Sequence, residues 1–262
     1  NMSNIIYFSH GGGPLPVLGE PSHKEMVSFM KRLPDVINKP EAIIVISAHW
    51  EEQVPAIIES EKPTLLYDYY GFPKEAYELN YNFPGNIELA SLIKKLFENA
   101  GAPLKIDNRR GLDHGVFIPM LMMYPQADIP VVQMSLLSDL DPENHIKLGT
   151  VLGQLADRNV LIIGSGFSFH NMRAFDWSGA NKKDERNDCF QDWLIDVCTG
   201  DYSKSQIESK LIDWENAPYA RYCHPREEHL LPLHVCYGAA TKKGELIFDN
   251  YILGKRAIAI KW

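Results

Sequence analysis

The chain has 262 residues, 45% of them apolar and 23% charged, which fits a folded globular protein and excludes disordered or fibrous classes. A net charge of −8 with no basic cluster argues against a nucleic-acid backbone or an anionic membrane as partner. No apolar run approaches the roughly 18 residues of a membrane span and no charged-then-apolar leader opens the chain, so a cytoplasmic protein is expected.

Asn1 in front of Met2 reads as a cloning remnant. The first strand, Ile5 to Ser9, runs into His10 and a triple glycine, Gly11-Gly12-Gly13. Ser22, with Glu25 three residues on, predicts a capped helix from about His23 to Leu33. A second strand spans Ala42 to Ser47, and its near-continuous apolar character predicts burial on both faces of a parallel sheet. Residues 63 to 85 lack a clean period and are rich in Tyr, Phe, Pro and Gly, which predicts a long irregular, functional excursion. Asn86 caps a helix to about Ala100, and Gly111-Leu112-Asp113-His114-Gly115 leads into an apolar helix-like run, Val116 to Tyr124. A strand follows over Ile129 to Leu136, then a helix from Pro142 to about Ala156, then a strand over Val160 to Ile163. Residues 181 to 212 read as helical, and Ala257 to Ile260 as a last strand. With no repeat and no linker, residues 1–262 form a single α/β domain with a mostly parallel central sheet flanked by helices. The four cysteines show no C-x-x-C pairing and are expected to be reduced, Cys198 as a small core residue. A homo-oligomer is compatible with this composition.

Three apolar runs end in a turn followed by a histidine: His10, His49 and His170. In open α/β sheets ligands bind outside the carboxyl ends of the strands, so these imidazoles are expected to converge there on a metal site. His114, His224 and His229 also stand beside Gly, Pro or an element end. Zinc and non-haem iron both suit such a set. His229 and His234 are five apart, about 140° around a helix, so one faces the site and the other packs. Pro232 begins a helix and leaves His229 in the turn before it. His23 and His145, on amphipathic helices, read as surface or interface residues. His10-Gly11-Gly12-Gly13 matches an esterase oxyanion motif, but Ser165 lacks the glycines that a G-x-S-x-G elbow needs two places to either side, where Ile163 and Phe167 stand. The triple glycine instead lets backbone pass close to a metal or substrate.

Taken together, Ser9-His10-Gly11-Gly12-Gly13-Pro14, Ser47-Ala48-His49-Trp50, Gly71-Phe72-Pro73, Asp113-His114-Gly115, Ser165-Gly166 with His170-Asn171, and Glu228-His229-Leu230-Leu231-Pro232-Leu233 resemble the LigB-type extradiol ring-cleavage dioxygenases. The branch they are most similar to is the 4,5-DOPA extradiol dioxygenases. The likeness runs from residue 5 to about 240 with the motifs in family order. It implies a divalent metal held by His10, His49 and His229, the last a histidine where protocatechuate-cleaving relatives place a glutamate; Glu228 is a fallback ligand. It further implies His170 as catalytic base, His114 as a second active-site histidine, and Asp113 and Asn171 as partners that fix imidazole tautomers.

The substrates this resemblance implies are a DOPA-like catechol and O2. Fe(II) serves activity, while an all-histidine set also suits Zn(II), which is expected in the purified protein. Tyr69 and Phe72 from the aromatic excursion, with Gly11 and Gly12, are expected to wall the ring. Two alternatives accompany this reading: a zinc-dependent hydrolase, and a non-catalytic binding protein of the Memo type.

Overall fold

The apolar runs become the inner strands of one sheet, as seen in a computed structural model that describes residues 3–262. Asn1 and Met2, and with them the reading of Asn1 as a cloning remnant, lie outside the described residues. In chain order the elements are β1 (Asn4–Ser9), α1 (Lys24–Arg32), β2 (Ala42–Glu52), β3 (Ala56–Ile58), α2 (Ile87–Asn99), β4 (Lys105–Asp107), α3 (His114–Met123) and β5 (Val131–Leu137). There follow α4 (Pro142–Leu152), β6 (Val160–Gly166), α5 (Glu185–Thr199), α6 (Lys204–Ile212), α7 (Ala220–Cys223), α8 (Leu231–Ala239), β7 (Glu245–Ile252) and β8 (Lys255–Lys261). The strand order is β4-β3-β5-β2-β6-β1-β8-β7. The four inner strands β5, β2, β6 and β1 run parallel, and antiparallel pairings join β3 and β8 on either side of them. This single-domain, mostly parallel α/β sheet is the expected architecture.

Strand β6 explains how helices reach both faces. Its backbone alternates sides residue by residue, and its last three residues are Gly164-Ser165-Gly166. Ser165 faces α3, where its hydroxyl donates to the Gly115 carbonyl at 2.6 Å. Gly164 and Gly166 face the other way, toward the N-terminal end of α8. A Cβ at Gly164 would stand 2.6 Å from the Pro232 carbonyl oxygen, and one at Gly166 only 2.1 Å from that of His229. The missing side chains let α8 and the turn before it lie directly on the sheet.

Several boundaries differ from expectation for physical reasons. Ser22 is not the cap of α1; Glu20 caps a short 3-10 turn over Pro21–His23, its carboxylate accepting from the Ser22 N–H at 2.8 Å, and α1 starts at Lys24. Helix α3 begins at His114 rather than Val116 because Asp113 is its N-cap, accepting from the Gly115 N–H at 2.9 Å. Strands β2 and β6 run past the predicted ends into polar residues, and residues 181–212 divide into α5 and α6. Strand β7, with mixed polar and apolar character, carried no periodic signal; it pairs with β8 across a two-residue turn in which Leu253 and Gly254 both have positive φ. Among the described residues no helix is long and apolar enough to cross a membrane.

Replacing Gly166 by Ala is expected to destabilise the fold by about 1–3 kcal/mol through overpacking and to displace the His229 turn. Thermal melts check the first effect. A variant with unchanged stability would mean that the turn moves aside freely.

Candidate active site

Five histidines reach one cavity by five routes. His10 leaves the end of β1, its backbone N–H bound to the Gly166 carbonyl at 2.9 Å. His49 lies in β2 after the ladder with β5 shifts register between Ile46 and Glu51, a bulge that re-aims the strand. His114 is the first residue of α3. His170 lies just beyond β6, its backbone N–H donating to the Cys223 carbonyl at 2.8 Å. His229 sits in the turn before α8, its carbonyl accepting from the Tyr7 hydroxyl at 2.8 Å and the Phe167 N–H at 3.0 Å.

The rings are in mutual contact. The Nε2 atoms of His10 and His49 are 3.1 Å apart, and the ring of His229 is centred 5.3 Å and 4.9 Å from theirs. His49 and His114 rings lie 4.1 Å apart, while His170 stacks on His229 at 3.5 Å and 9°. Donor nitrogens of His10, His49 and His114 all fall within 4.8 Å of one another, and so do those of His170 and His229 with a Glu228 oxygen. The structure thus brings together all five histidines given roles by sequence, and sets His114 nearer to His10 and His49 than the expected ligand set implied.

Electrostatics favours a cation here. Burial pushes the pKa of His49 down to about 3 and of His170 down to about 4, and holds His10 and His229 well below the usual range, so all four are neutral at pH 7. Neutral imidazoles offer lone pairs, and two of those nitrogens, His10 Nδ1 and His229 Nε2, are buried without any hydrogen-bond partner. Buried polar atoms are nearly always satisfied, and the two Nε2 atoms at 3.1 Å are placed so that both can turn a lone pair toward one cation beside them. The donor set fits one divalent metal ion.

Two carboxylates flank the rings. Glu228 Oε1 lies 3.3 Å from His229 Nδ1 and 3.8 Å from His170 Nδ1, and burial raises its pKa. Asp68 accepts from both His114 Nδ1 (2.7 Å) and the His114 backbone N–H (3.0 Å). Burial works to raise the Asp68 carboxyl, but the hydrogen bond and charge of His114 outweigh it and hold it low. The cavity the imidazoles enclose measures about 320 Å³. Tyr69, Phe72, Gly11 and Gly12 line it, joined by Phe167 and Phe175.

Other expectations need correction. His23 and His145 are fully buried, not at the surface. His23 Nε2 accepts from the Gly12 N–H at 2.9 Å while its Nδ1 meets Glu20 at 2.9 Å, so it pins the glycine loop. His145 likewise holds the end of β5, its Nε2 accepting from the Leu137 N–H at 3.0 Å. Asp113 and Asn171 touch no imidazole. Asp113 accepts from Ser47 Oγ, Gln133 Nε2 and Arg110, tying β2 to α3, and Asn171 donates to the Tyr222 carbonyl. The tautomer-fixing carboxylate is Asp68, inside the aromatic excursion, 46 residues from its partner. His224 packs outside the cavity with its Nε2 on the Ser168 carbonyl, and His234 packs with its Nε2 on the Leu211 carbonyl. Ser165 is fully buried, which removes the esterase nucleophile.

An α/β sheet with a histidine metal cluster at the carboxyl ends of its parallel strands defines the class: a metal-dependent enzyme of the open-sheet type. Residues 4–257 match the catalytic LigB subunit of aromatic ring-opening dioxygenase, and the chain belongs to that family of extradiol dioxygenases. It is 40% identical to the dioxygenase tasH of Hapsidospora irregularis, over 96% of this chain and 83% of that one. It is 37% identical to the 4,5-DOPA dioxygenase extradiol of Beta vulgaris, over 96% of this chain and 92% of that one. In structure it matches an uncharacterized protein of Escherichia coli K12 with a TM-score of 0.80 at 25% identity, covering 100% of this chain and 99% of the other.

His224 and His234, away from the cavity, yield a clean pH test. Their folded pKa values, about 3 and about 4, lie below the unfolded value, so below it the unfolded chain binds more protons than the folded one. Stability is therefore expected to be flat above about pH 7 and to fall as pH drops from about 6.5 toward 4, by about 1.4 kcal/mol per pH unit for each group. Urea unfolding from pH 7.5 to 4.5 measures the slope. His234→Gln is expected to reduce it, and an unchanged slope would refute the assignment.

Proposed function

We propose that the protein opens the ring of a catechol with O2, using one divalent metal held by His10, His49 and His229, with Fe(II) as the active ion. The observation that carries this is the convergence of neutral, buried imidazoles, two with orphaned nitrogens, on one apolar cavity. His229 is assigned as third ligand because its Nε2 is buried without a hydrogen-bond partner and its ring lies 5.3 Å and 4.9 Å from those of His10 and His49. When bound, Fe(II) supplies an electron path between ring and O2 that Zn(II), lacking redox change, does not.

The remaining steps belong to the protein. His170, neutral and on the cavity wall, accepts a phenolic proton as the catechol binds and returns it as the ring opens. Its parallel stack on His229 and the nearby Glu228 oxygen fix the plane of the ring. His114, with Nδ1–H donated to Asp68, presents Nε2 as an acceptor for the second substrate hydroxyl. Tyr69 and Phe72 flank the aromatic ring, and Tyr69 is held edge-on to Phe72 at 5.5 Å with its hydroxyl bound to the Ala76 carbonyl. A Cβ at Gly11 would meet the His23 ring at 2.8 Å and one at Gly12 the Leu253 side chain at 2.9 Å, so the glycines let the loop pack closely on both. Residues 1–262 act as one catalytic domain, and four free thiols support a cytoplasmic setting.

His170→Ala is expected to keep wild-type metal content and to lose ring cleavage by about 10²–10⁴-fold. Loss of metal comparable to that of His49→Ala would make His170 a ligand instead. Metal analysis beside oxygen-electrode rates separates these.

Metal identity is tested separately. Nitrogen sites hold Zn(II) more tightly than Fe(II), and this set has no carboxylate. Protein purified in air is expected to carry mainly zinc and to be nearly inactive, and anaerobic Fe(II) reconstitution to restore oxygen uptake and a yellow product. Equal rates in both metal forms would refute the redox argument.

A further inference from the structure

Resting on the catechol reading, we infer that the substrate's ring substituent is uncharged and apolar: an alkyl- or aryl-substituted catechol is preferred to an amino-acid catechol. Among the described residues that line the cavity there is no Lys, Arg, Asp, Glu, Asn, Gln, Ser or Thr. Its polar side-chain groups are the five imidazoles, the Trp177 indole N–H at the rim, and the Tyr69 hydroxyl, which is already bound to the Ala76 carbonyl. The Gly12 N–H, in the glycine loop, is bound to His23. The two adjacent carboxylates, Asp68 and Glu228, do not line the cavity and are engaged by the Nδ1 atoms of His114 and His229. An α-carboxylate and α-ammonium carried outward with the ring would exchange part of their hydration for apolar rings that supply no counter-charge, and desolvating a charge without a partner is disfavoured.

The apolar character continues to the mouth. Phe175 packs on Phe167 at 5.3 Å and on Trp177 at 5.7 Å, a file of rings leading from beside His170 outward. Trp177 is 57% exposed and Met172 54% exposed, yet both line the cavity. Large apolar side chains left open to water at the rim of an apolar cavity gain from being covered. Leu15 and Leu253 add aliphatic wall. The cavity is at the small end of the range for ligand sites, enough for a ring with its substituent running out along Trp177. Each methylene moved from water onto such walls is worth about fourfold in affinity.

The test is a substrate series on the Fe(II)-reconstituted enzyme: catechol, 4-methylcatechol, 4-butylcatechol, 4-phenylcatechol and L-DOPA, by initial oxygen uptake. The kcat/KM is expected to rise at least tenfold from catechol to 4-butylcatechol, with L-DOPA below 4-butylcatechol by a hundredfold or more. Trp177→Ala is expected to shrink the ratio of 4-butylcatechol to catechol by about fivefold within the variant. Anaerobic titration of the zinc form, read by tryptophan fluorescence, is expected to rank the same compounds by Kd without turnover. Cleavage of L-DOPA as efficient as that of 4-butylcatechol, or tighter binding of L-DOPA, overturns the inference and leaves the catechol reading intact. Failure to cleave any catechol overturns that reading and the inference together.

Discussion

Four imidazoles crowded into one dry pocket, those of His10, His49, His170 and His229, are held uncharged by burial, and that constraint governs the rest of the structure. Protonating any one would place a cation among close neighbours with little water to screen it. Burial settles the matter by depressing His10, His49, His170 and His229 together. The fold then assigns each ring an orientation through what it touches: Asp68 takes His114 Nδ1, and Glu228 stands beside the Nδ1 atoms of His229 and His170. The nitrogens left over point at one another, which is unfavourable for the protein alone and favourable for a metal-loaded one. Such a site is a store of unsatisfied polar atoms tolerated because a ligand satisfies them.

The sheet makes this possible by ending its inner strands at one edge. β1, β2 and β6 bring His10, His49 and the approach to His170 to the same level, and their pairing fixes the spacing: Ser9 is level with Gly166, and Ser47 with Ser165. Asp113 then binds Ser47 on β2, Gly115 on α3, Gln133 on β5 and Arg110, and Arg110 also donates to the His49 carbonyl at 3.1 Å. One buried carboxylate therefore holds the backbone of both His49 and His114 without touching either ring. His23 does comparable work for the glycine loop from beneath.

The sequence reveals what is local. A histidine after an apolar run is visible as such, and so are the caps Asn86 and Asp141, since each acts within three residues. The α/β alternation and the turn placing His229 before Pro232 follow from the same short-range rules. What stays hidden depends on distant partners. Nothing near Asp68 marks it as the partner of a histidine on a helix beyond α2 and β4. His23 and His145 occupy positions on amphipathic helices that read as peripheral, yet their neighbours, the Gly12 loop and the end of β5, turn those faces inward. Asp113, beside His114 in sequence, invited the tautomer role, but as the α3 cap its carboxylate is turned toward the helix backbone and Ser47. β7 is half exposed, so its pattern lacks the alternation that marked its partner.

The pairing of β1 with β6 joins Ile5 to Ile162 and Ser9 to Gly166, and the His229 carbonyl closes over that junction. The order of biosynthesis therefore constrains when the metal can be acquired. His10, His49 and His114 precede the other two rings in the chain, and His229 follows His10 by 219 residues. At roughly 5–20 residues per second, the gap between His10 and His229 lasts about 10–45 s. A set made of His10, His49 and His229 is thus complete only once residue 229 has been added, so an ion held by all three is bound after that point.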